Sequence, residues 1–354
     1  MSAKSKLYLL AGLSFLAGNA MAQHICISTP NTSLVLNAPN GGELKYLYYG
    51  NKLSETDLQH INEASNYNHT AYPVYGMNCP GEAALSVKHA DGSMSAHMEE
   101  VSVRTNEEKQ STLTTVHLKD KVYPFYVDVH YKAYQDVDMI ATWTEISHTE
   151  KKPVYLSQFS SAYLPIRRGN VWLSHLSGSW ANEGQLTQAP LQPGMTVIKN
   201  KDGVRNSHTS HAEVKFSLDG KPQENTGSVQ GAAHCYTGNY KPKIDTADSD
   251  YHQFYAVINE ENSSYMLSKK EVFRTPAVAL TYSDKGLSGA SRNFHKWGRT
   301  YKLAHGNVVR DILLNSWEGV YFDINQKVID LMMGDNASMG GELFVLAAGR
   351  FGDE

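Results

Sequence analysis

Between about residues 25 and 300 the chain is built of short runs with a two-residue period, and little of this stretch repeats at helical spacing. In an extended strand successive side chains point to opposite faces, so such a period buries one face of a sheet. Lys121-Val-Tyr-Pro-Phe-Tyr-Val-Asp-Val-His-Tyr-Lys132 alternates after its proline, and residues 139–147 and 154–159 read as strands too. Val, Ile, Thr, Tyr and Trp fill these runs, while Gly, Asn, Asp and Lys separate them. That is the composition of pleated, half-buried strands and their turns. Asn40-Gly41, Asp91-Gly92, Asp202-Gly203 and Asp219-Gly220 are dipeptides suited to tight hairpins. Many short strands with few helices predict a mainly β fold, a large antiparallel β-sandwich.

After Gly306 the pattern changes. Residues 308–316 are mostly apolar, which fits a buried parallel strand. Residues 325–339 carry Val328, Leu331, Met332 and Ala337 near helical spacing and stop at Gly340-Gly341, as a helix would. Glu342-Leu-Phe-Val-Leu346 reads as a second buried strand. Strand, helix, strand is one β/α/β unit and not a closed barrel. Two parallel strands leave 312–314 and 343–346 short of packing partners, so poor protection from hydrogen exchange is expected there. The polar segment 54–75 reads as a loop long enough to suggest a functional role.

Lys4 and Lys6, the apolar stretch 7–18 and Ala20-Met-Ala22 form a signal peptide over residues 1–22, cleaved after Ala22. The protein is therefore expected to be exported, to a periplasm or to the medium. No Cys stands at Gln23 to take a lipid anchor, and no apolar run is long enough to span a bilayer. The expected domains are the signal peptide 1–22, a sandwich over 23–305 and the parallel unit over 306–354. A formal net charge of −4 offers no basic footprint for nucleic acid or a membrane surface. Cys26, Cys79 and Cys235 allow at most one disulfide and read as buried thiols. His208 and His211, three apart on a strand, point to opposite faces, and Cys-x-x-Cys pairs are absent, so no metal is expected. Dinucleotide, phosphate-loop and nucleophile-elbow motifs are also absent, which argues against a nucleotide enzyme or an α/β-hydrolase. No cofactor is implied.

Thr29-Pro-Asn-Thr-Ser-Leu-Val-Leu36, Leu173-Ser-His-Leu-Ser-Gly-Ser-Trp180 with Glu183, and Gly203-Val-Arg-Asn-Ser-His208 follow one another along the chain. Phe273-Arg-Thr-Pro276, Tyr282-Ser-Asp-Lys-Gly-Leu-Ser-Gly-Ala-Ser-Arg-Asn-Phe-His295 and Asn315-Ser-Trp-Glu-Gly-Val-Tyr-Phe-Asp323 come next. The series closes on Gly341-Glu-Leu-Phe-Val-Leu-Ala-Ala-Gly-Arg-Phe-Gly352. Each motif alone is weak; in this order, across nearly the whole mature chain, they resemble glycoside hydrolase family 36, the microbial α-galactosidases. The resemblance implies a large β-sandwich, then a (β/α)8 barrel, then a small C-terminal sandwich. This chain would hold the first and only the opening β/α/β unit of an incomplete barrel.

The resemblance also implies retaining hydrolysis of terminal α-galactosides, of the raffinose and melibiose type. Retention requires a nucleophile and a general acid/base about 5 Å apart. In the family both are aspartates on later barrel strands, the first in a Lys-x-Asp context, so they would lie past this chain's end. Lys243-Ile-Asp245 matches that string but sits within the sandwich. Trp317 matches the tryptophan that lines the family's galactose pocket, at the C-terminal end of the first barrel strand. Glu318 and Asp323 beside it read as supporting or capping groups. The family's last motif runs Leu-Phe-Val-x-Asp-Asp-Gly-Trp-Phe-Gly, whereas this chain has Ala347, Ala348 and Arg350 at the two aspartates and the tryptophan. Paired carboxylates suit a sugar because each accepts two hydroxyl donors, at about 1.5–3 kcal/mol per charged hydrogen bond. Alanine side chains accept none, so poor galactose binding and no turnover are expected of this chain. Two further readings follow: α-N-acetylgalactosaminidase of the same family, or a non-catalytic module that binds carbohydrate or joins subunits into a homo-oligomer through the sandwich.

Overall fold

The structure of the chain, a computed structural model, describes residues 23–38, 41–64, 69–77, 79–204, 208–247 and 250–347. The signal-peptide segment 1–22 therefore lies outside the described residues. The chain packs as two compact units, one ending at Trp297 and the other beginning at Gly298; the change of sequence pattern at Gly306 falls later.

The first unit is antiparallel β. Its ten-stranded sheet has Val278–Ser283, Met139–His148 and Phe125–Tyr134 at its centre, and its six-stranded sheet is organised around the long strand Val154–Arg167. A three-stranded sheet, Gln23–Ser28, Thr32–Ala38 and Lys45–Asn51, completes it. Phe125–Tyr134 starts directly after Pro124, as its alternation predicts, and buries Val127, Val129 and Tyr131 while Tyr126 and Asp128 stay half-exposed. Between the sheets Phe216 meets Phe254 edge-on at 5.4 Å, and Ser161 Oγ bonds His234 Nε2 at 3.2 Å. One contiguous apolar core runs through all three sheets. Met139–His148 is buried almost throughout, and its buried positions include Thr142, Thr144 and His148 beside Met139, Ile140 and Ile146, so it shows no clean alternation.

Helix Gly286–Trp297 docks on the ten-stranded sheet, burying Ala290 and Trp297. Two glycines make the seat. At Gly231 a Cβ would stand 3.0 Å from Phe294 Cε2 and 2.9 Å from Thr281 Cγ2. Gly286 has φ of +63° and starts the helix where the Gln223 and Glu224 carbonyls accept the Leu287 and Ser288 amides.

Three expectations change here. The segment 54–75 is not one loop: it opens with helix Glu55–Ala64. Ser54 Oγ donates to Asp57 Oδ2 at 2.7 Å and accepts the Asp57 N–H at 3.2 Å, while Asp57 Oδ2 takes the Ser54 N–H at 3.0 Å. This is a capping box, Ser-x-x-Asp, legible in the sequence. Residues 65–68 lie outside the described residues, and Ala71, Tyr72 and Val74 enter the core. Asn40 lies outside the described residues, and Asp91-Gly92, Asp202-Gly203 and Asp219-Gly220 sit in turns or bends without two-residue hairpins; a two-residue turn is Trp180-Ala181, between the paired ends Ser179 and Asn182. The cysteines are not buried: Cys26 and Cys235 are exposed, Cys79 is half-buried, and no disulfide joins them.

The second unit opens with a π-helical turn, Gly298–Lys302. Leu313–Asn315 then pairs in parallel with Leu343–Val345, and helix Gln326–Ser338 connects them. Asn325 caps that helix by accepting the Val328 N–H at 3.1 Å. The strands are shorter than the apolar runs and are not buried. Ile312 is 62% exposed and Leu343 43%, because within this unit the sheet has two strands and no further one among the described residues.

Candidate functional site

The two parallel strands bring their C-terminal ends together, with Asn315 opposite Val345. Ser316 follows the first strand and is fully buried. Its N–H donates to the Val345 carbonyl at 3.0 Å, and its Oγ accepts the Ala347 N–H at 3.1 Å. One serine therefore fixes both strand ends. Trp317 comes next, its N–H held by Asn315 Oδ1 at 2.8 Å. Its half-buried ring meets Tyr321 at 5.4 Å and Phe322 at 4.9 Å, both edge-on. Tyr321, at a left-handed φ of +49°, closes the short helix Trp317–Val320.

Trp317 and Ala347 are thus brought to one strand edge. Ala348 and Arg350 lie outside the described residues. Glu318 and Asp323 are exposed, and Asp323 takes part in a turn through its N–H to the Val320 carbonyl. Sequence reasoning passed over Ser316, whose only signal is a polar residue immediately after an apolar strand.

Elsewhere, Lys243–Asp245 is a buried strand of the sandwich. Lys243 Nζ pairs with Glu82 at 2.8 Å and Glu260 at 3.0 Å, and Asp245 Oδ1 accepts the Ala247 N–H. That lysine and aspartate are structural. The sandwich also has a cleft of about 430 Å³ lined by Tyr46, Tyr48, Tyr49, Arg167, Arg168 and Gln230, among others. Burial raises the Tyr46 and Tyr49 phenols well above their ordinary range and pushes Tyr48 up to about 12. All three hydroxyls therefore stay protonated. Tyr49 Oη and Gln230 Oε1 are buried without a hydrogen-bond partner.

His208 and His211 belong to no metal-competent group among the described residues, but Asp128, His130 and Glu145 place their ligand atoms within 4.8 Å of one another. His130 and Trp143 stack at 4.8 Å, and Arg274 lies over Trp143 at 4.8 Å. Burial holds the His130 imidazole below its usual range, against the pull of Glu145 and Asp128. No metal was expected from sequence, because Glu145 joins Asp128-Val-His130 only through strand pairing.

An antiparallel sandwich followed by a parallel β/α/β unit with an aromatic side chain at its strand end is the layout of a sandwich domain joined to the opening of a β/α barrel. Residues 42–268 match the glycosyl hydrolase family 36 N-terminal domain, and residues 272–354 match Melibiase. The chain belongs to glycoside hydrolase family 36. It is 28% identical to α-galactosidase Mel36A of Lactobacillus acidophilus over 70% of its length and 34% of that protein's. It is 30% identical to α-galactosidase AgaA of Geobacillus stearothermophilus over similar shares, 70% and 34%. The chain therefore spans about a third of the length of these relatives. Among solved structures, an AgaA variant in complex with raffinose superposes with a TM-score of 0.84 at 23% identity, over 94% of this chain and 51% of that one. The galactosidase domain of the α-galactosidase–sucrose kinase AgaSK gives 0.81 at 25%, over 92% and 50%. No helix of the described residues is long and apolar enough to cross a membrane.

Proposed function

We propose that this chain is the sandwich and barrel opening of an exported α-galactosidase whose substrates are raffinose-type α-galactosides, cleaved with retention, and that the chain itself does not turn them over. The observation that carries this is the strand edge where Asn315 Oδ1 holds Trp317 and Ser316 Oγ holds Ala347. Trp317 offers the ring face for a sugar, and the Ala347 and Ala348 methyls cannot accept its hydroxyls. Support for the substrate class comes from the relatives, since AgaA variants were crystallised with raffinose and stachyose. The test sets the p-nitrophenyl α-galactoside beside the p-nitrophenyl α-N-acetylgalactosaminide. No release from either is expected; turnover of the galactoside would refute the role given to Ala347 and Ala348, and turnover of the second substrate would favour the acetamido-sugar reading. Mass spectrometry of the exported protein should find Gln23 at its N-terminus.

A second reading is favoured by the sandwich cleft: non-catalytic carbohydrate binding. Tyr49 and Gln230, whose Oη and Oε1 are a buried and unsatisfied donor and acceptor, line a space of oligosaccharide size. Titration with raffinose, followed by tyrosine fluorescence, should saturate in the chain and weaken at least tenfold in Gln230→Leu. A homo-oligomer built through the sandwich is part of the same reading, and light scattering would find a mass above one chain.

A further inference from the structure

We propose that Asp128, His130 and Glu145, on the outward face of the ten-stranded sheet, form a binding site for a divalent transition-metal ion such as zinc. Asp128 and His130 are two residues apart on Phe125–Tyr134 and so share a face. Pairing with Met139–His148 sets Glu145 opposite Asp128 and Trp143 opposite His130. The three ligand atoms lie within 4.8 Å of one another, a spread that a single ion at about 2.0–2.2 Å from each N or O can close.

A cluster of carboxylates would not carry this alone, but the imidazole is an independent sign. His130 is 9% exposed, and its Nε2 is buried with no hydrogen-bond partner, 3.7 Å from Glu145 Oε2. Its Nδ1 is engaged by Thr115 Oγ1 at 2.9 Å. When Nδ1 donates to that hydroxyl, Nε2 keeps its lone pair turned toward the carboxylates, the arrangement by which proteins orient a metal-binding histidine. Trp143 stacked on the ring fixes its plane. Asp128 is likewise positioned by a hydrogen bond between its Oδ1 and His117 Nδ1. The carboxylates of Asp128 and Glu145 are about a third exposed, at 35% and 31%, so water can complete the shell. One imidazole and two carboxylates suit zinc or manganese better than a soft ion. Arg274 is the opposing charge: its Nη1 sits 3.8 Å from Glu145 Oε1. It engages Oε1, whereas His130 Nε2 lies nearest Oε2, and it is 61% exposed, so it competes for Glu145 through the other oxygen.

The test uses the chain freed of metal by dialysis and titrated with zinc chloride by calorimetry, with cobalt chloride giving a visible ligand-field spectrum. Uptake of one ion per chain is expected, at least tenfold weaker in Asp128→Asn and in Glu145→Gln and abolished in the double variant. Circular dichroism confirms that each variant is folded, and His130→Gln supplies a third, independent loss. Zinc uptake should persist in the His208→Ala, His211→Ala double variant. Arg274→Gln should tighten binding by removing the competitor for Glu145. No stoichiometric uptake by the folded chain would overturn the proposal. So would uptake that survives Asp128→Asn with Glu145→Gln, or weakening by Arg274→Gln.

Discussion

Lowering the pH should loosen the sandwich through one buried side chain, His234. It ends the strand Val229–His234, is 5% exposed, and bridges the two large sheets through Ser161 Oγ. Burial drives its imidazole from 6.5 down to about 4, because the charged ring would lose its hydration without gaining a counter-charge. The unfolded chain therefore takes up the proton first. The stability that depends on a neutral His234 is fully present above pH 6.5. It begins to fall as pH drops below that value, and is all lost below about 4. At about 1.4 kcal/mol per pH unit of difference, the loss is on the order of 1 kcal/mol at pH 5.5 and roughly 2–3 kcal/mol at pH 4.5. Urea unfolding of the parent and of His234→Gln, which keeps a side-chain amide near Ser161, isolates this contribution from the carboxylates that also titrate. Whatever its stability at pH 7, the variant should gain on the parent by roughly 2–3 kcal/mol on going to pH 4.5. A gap that stays constant between those pH values would show that the protonated ring is hydrated in the folded protein, and the burial argument would fail.

Ser54→Ala removes the cap of helix Glu55–Ala64 at a cost of about 1 kcal/mol. Amide exchange at Leu58 should quicken about fivefold while global stability hardly moves. Gly286→Ala forces a Cβ to 2.5 Å from the Gln223 carbonyl at a left-handed φ, and denaturant melts should report a loss of about 3 kcal/mol. Hydrogen exchange should find Leu313–Asn315 and Leu343–Val345 poorly protected, since Ile312 and Leu313 are 62% and 50% exposed, whereas Phe125–Tyr134 and Met139–His148 should exchange slowly; uniform protection would contradict this.

What was legible in the sequence was whatever a local period or a fixed dipeptide encodes. Alternation located Phe125–Tyr134 to within a few residues, and Gly340-Gly341 located the end of helix Gln326–Ser338. The cap at Ser54 was equally local, yet the polar content of 54–75 masked it, and the burial of Tyr72 and Val74 had no local sign. Strand pairing was illegible. Nothing between residues 130 and 145 announces that Glu145 will stand beside Asp128, because that neighbour relation arises from register across a hairpin. For the same reason the metal-competent face was invisible while the sandwich that carries it was not.

The strand edge at Trp317 separates two things that a motif comparison runs together. Its geometry is held by backbone groups and one serine hydroxyl: the Ser316 N–H on the Val345 carbonyl, and the Ala347 N–H on Ser316 Oγ. Neither bond uses the side chain at position 347, so alanine there leaves the scaffold in place. Under the proposed function, sugar recognition draws on that same side chain, since a carboxylate there would accept galactose hydroxyl donors and a methyl cannot. Alanine in place of the family's aspartate would therefore change binding chemistry without unravelling the edge, and Trp317 keeps its place through Asn315 Oδ1. A chain can in this way stay a member of its family in fold while departing from it in chemistry, and the two should respond differently to substitution. Ser316→Ala leaves the Ala347 amide without its partner and disturbs the edge itself, at about 1–3 kcal/mol. Ala347→Asp should leave stability nearly unchanged, because the site is half-buried at the edge and already open to a side chain.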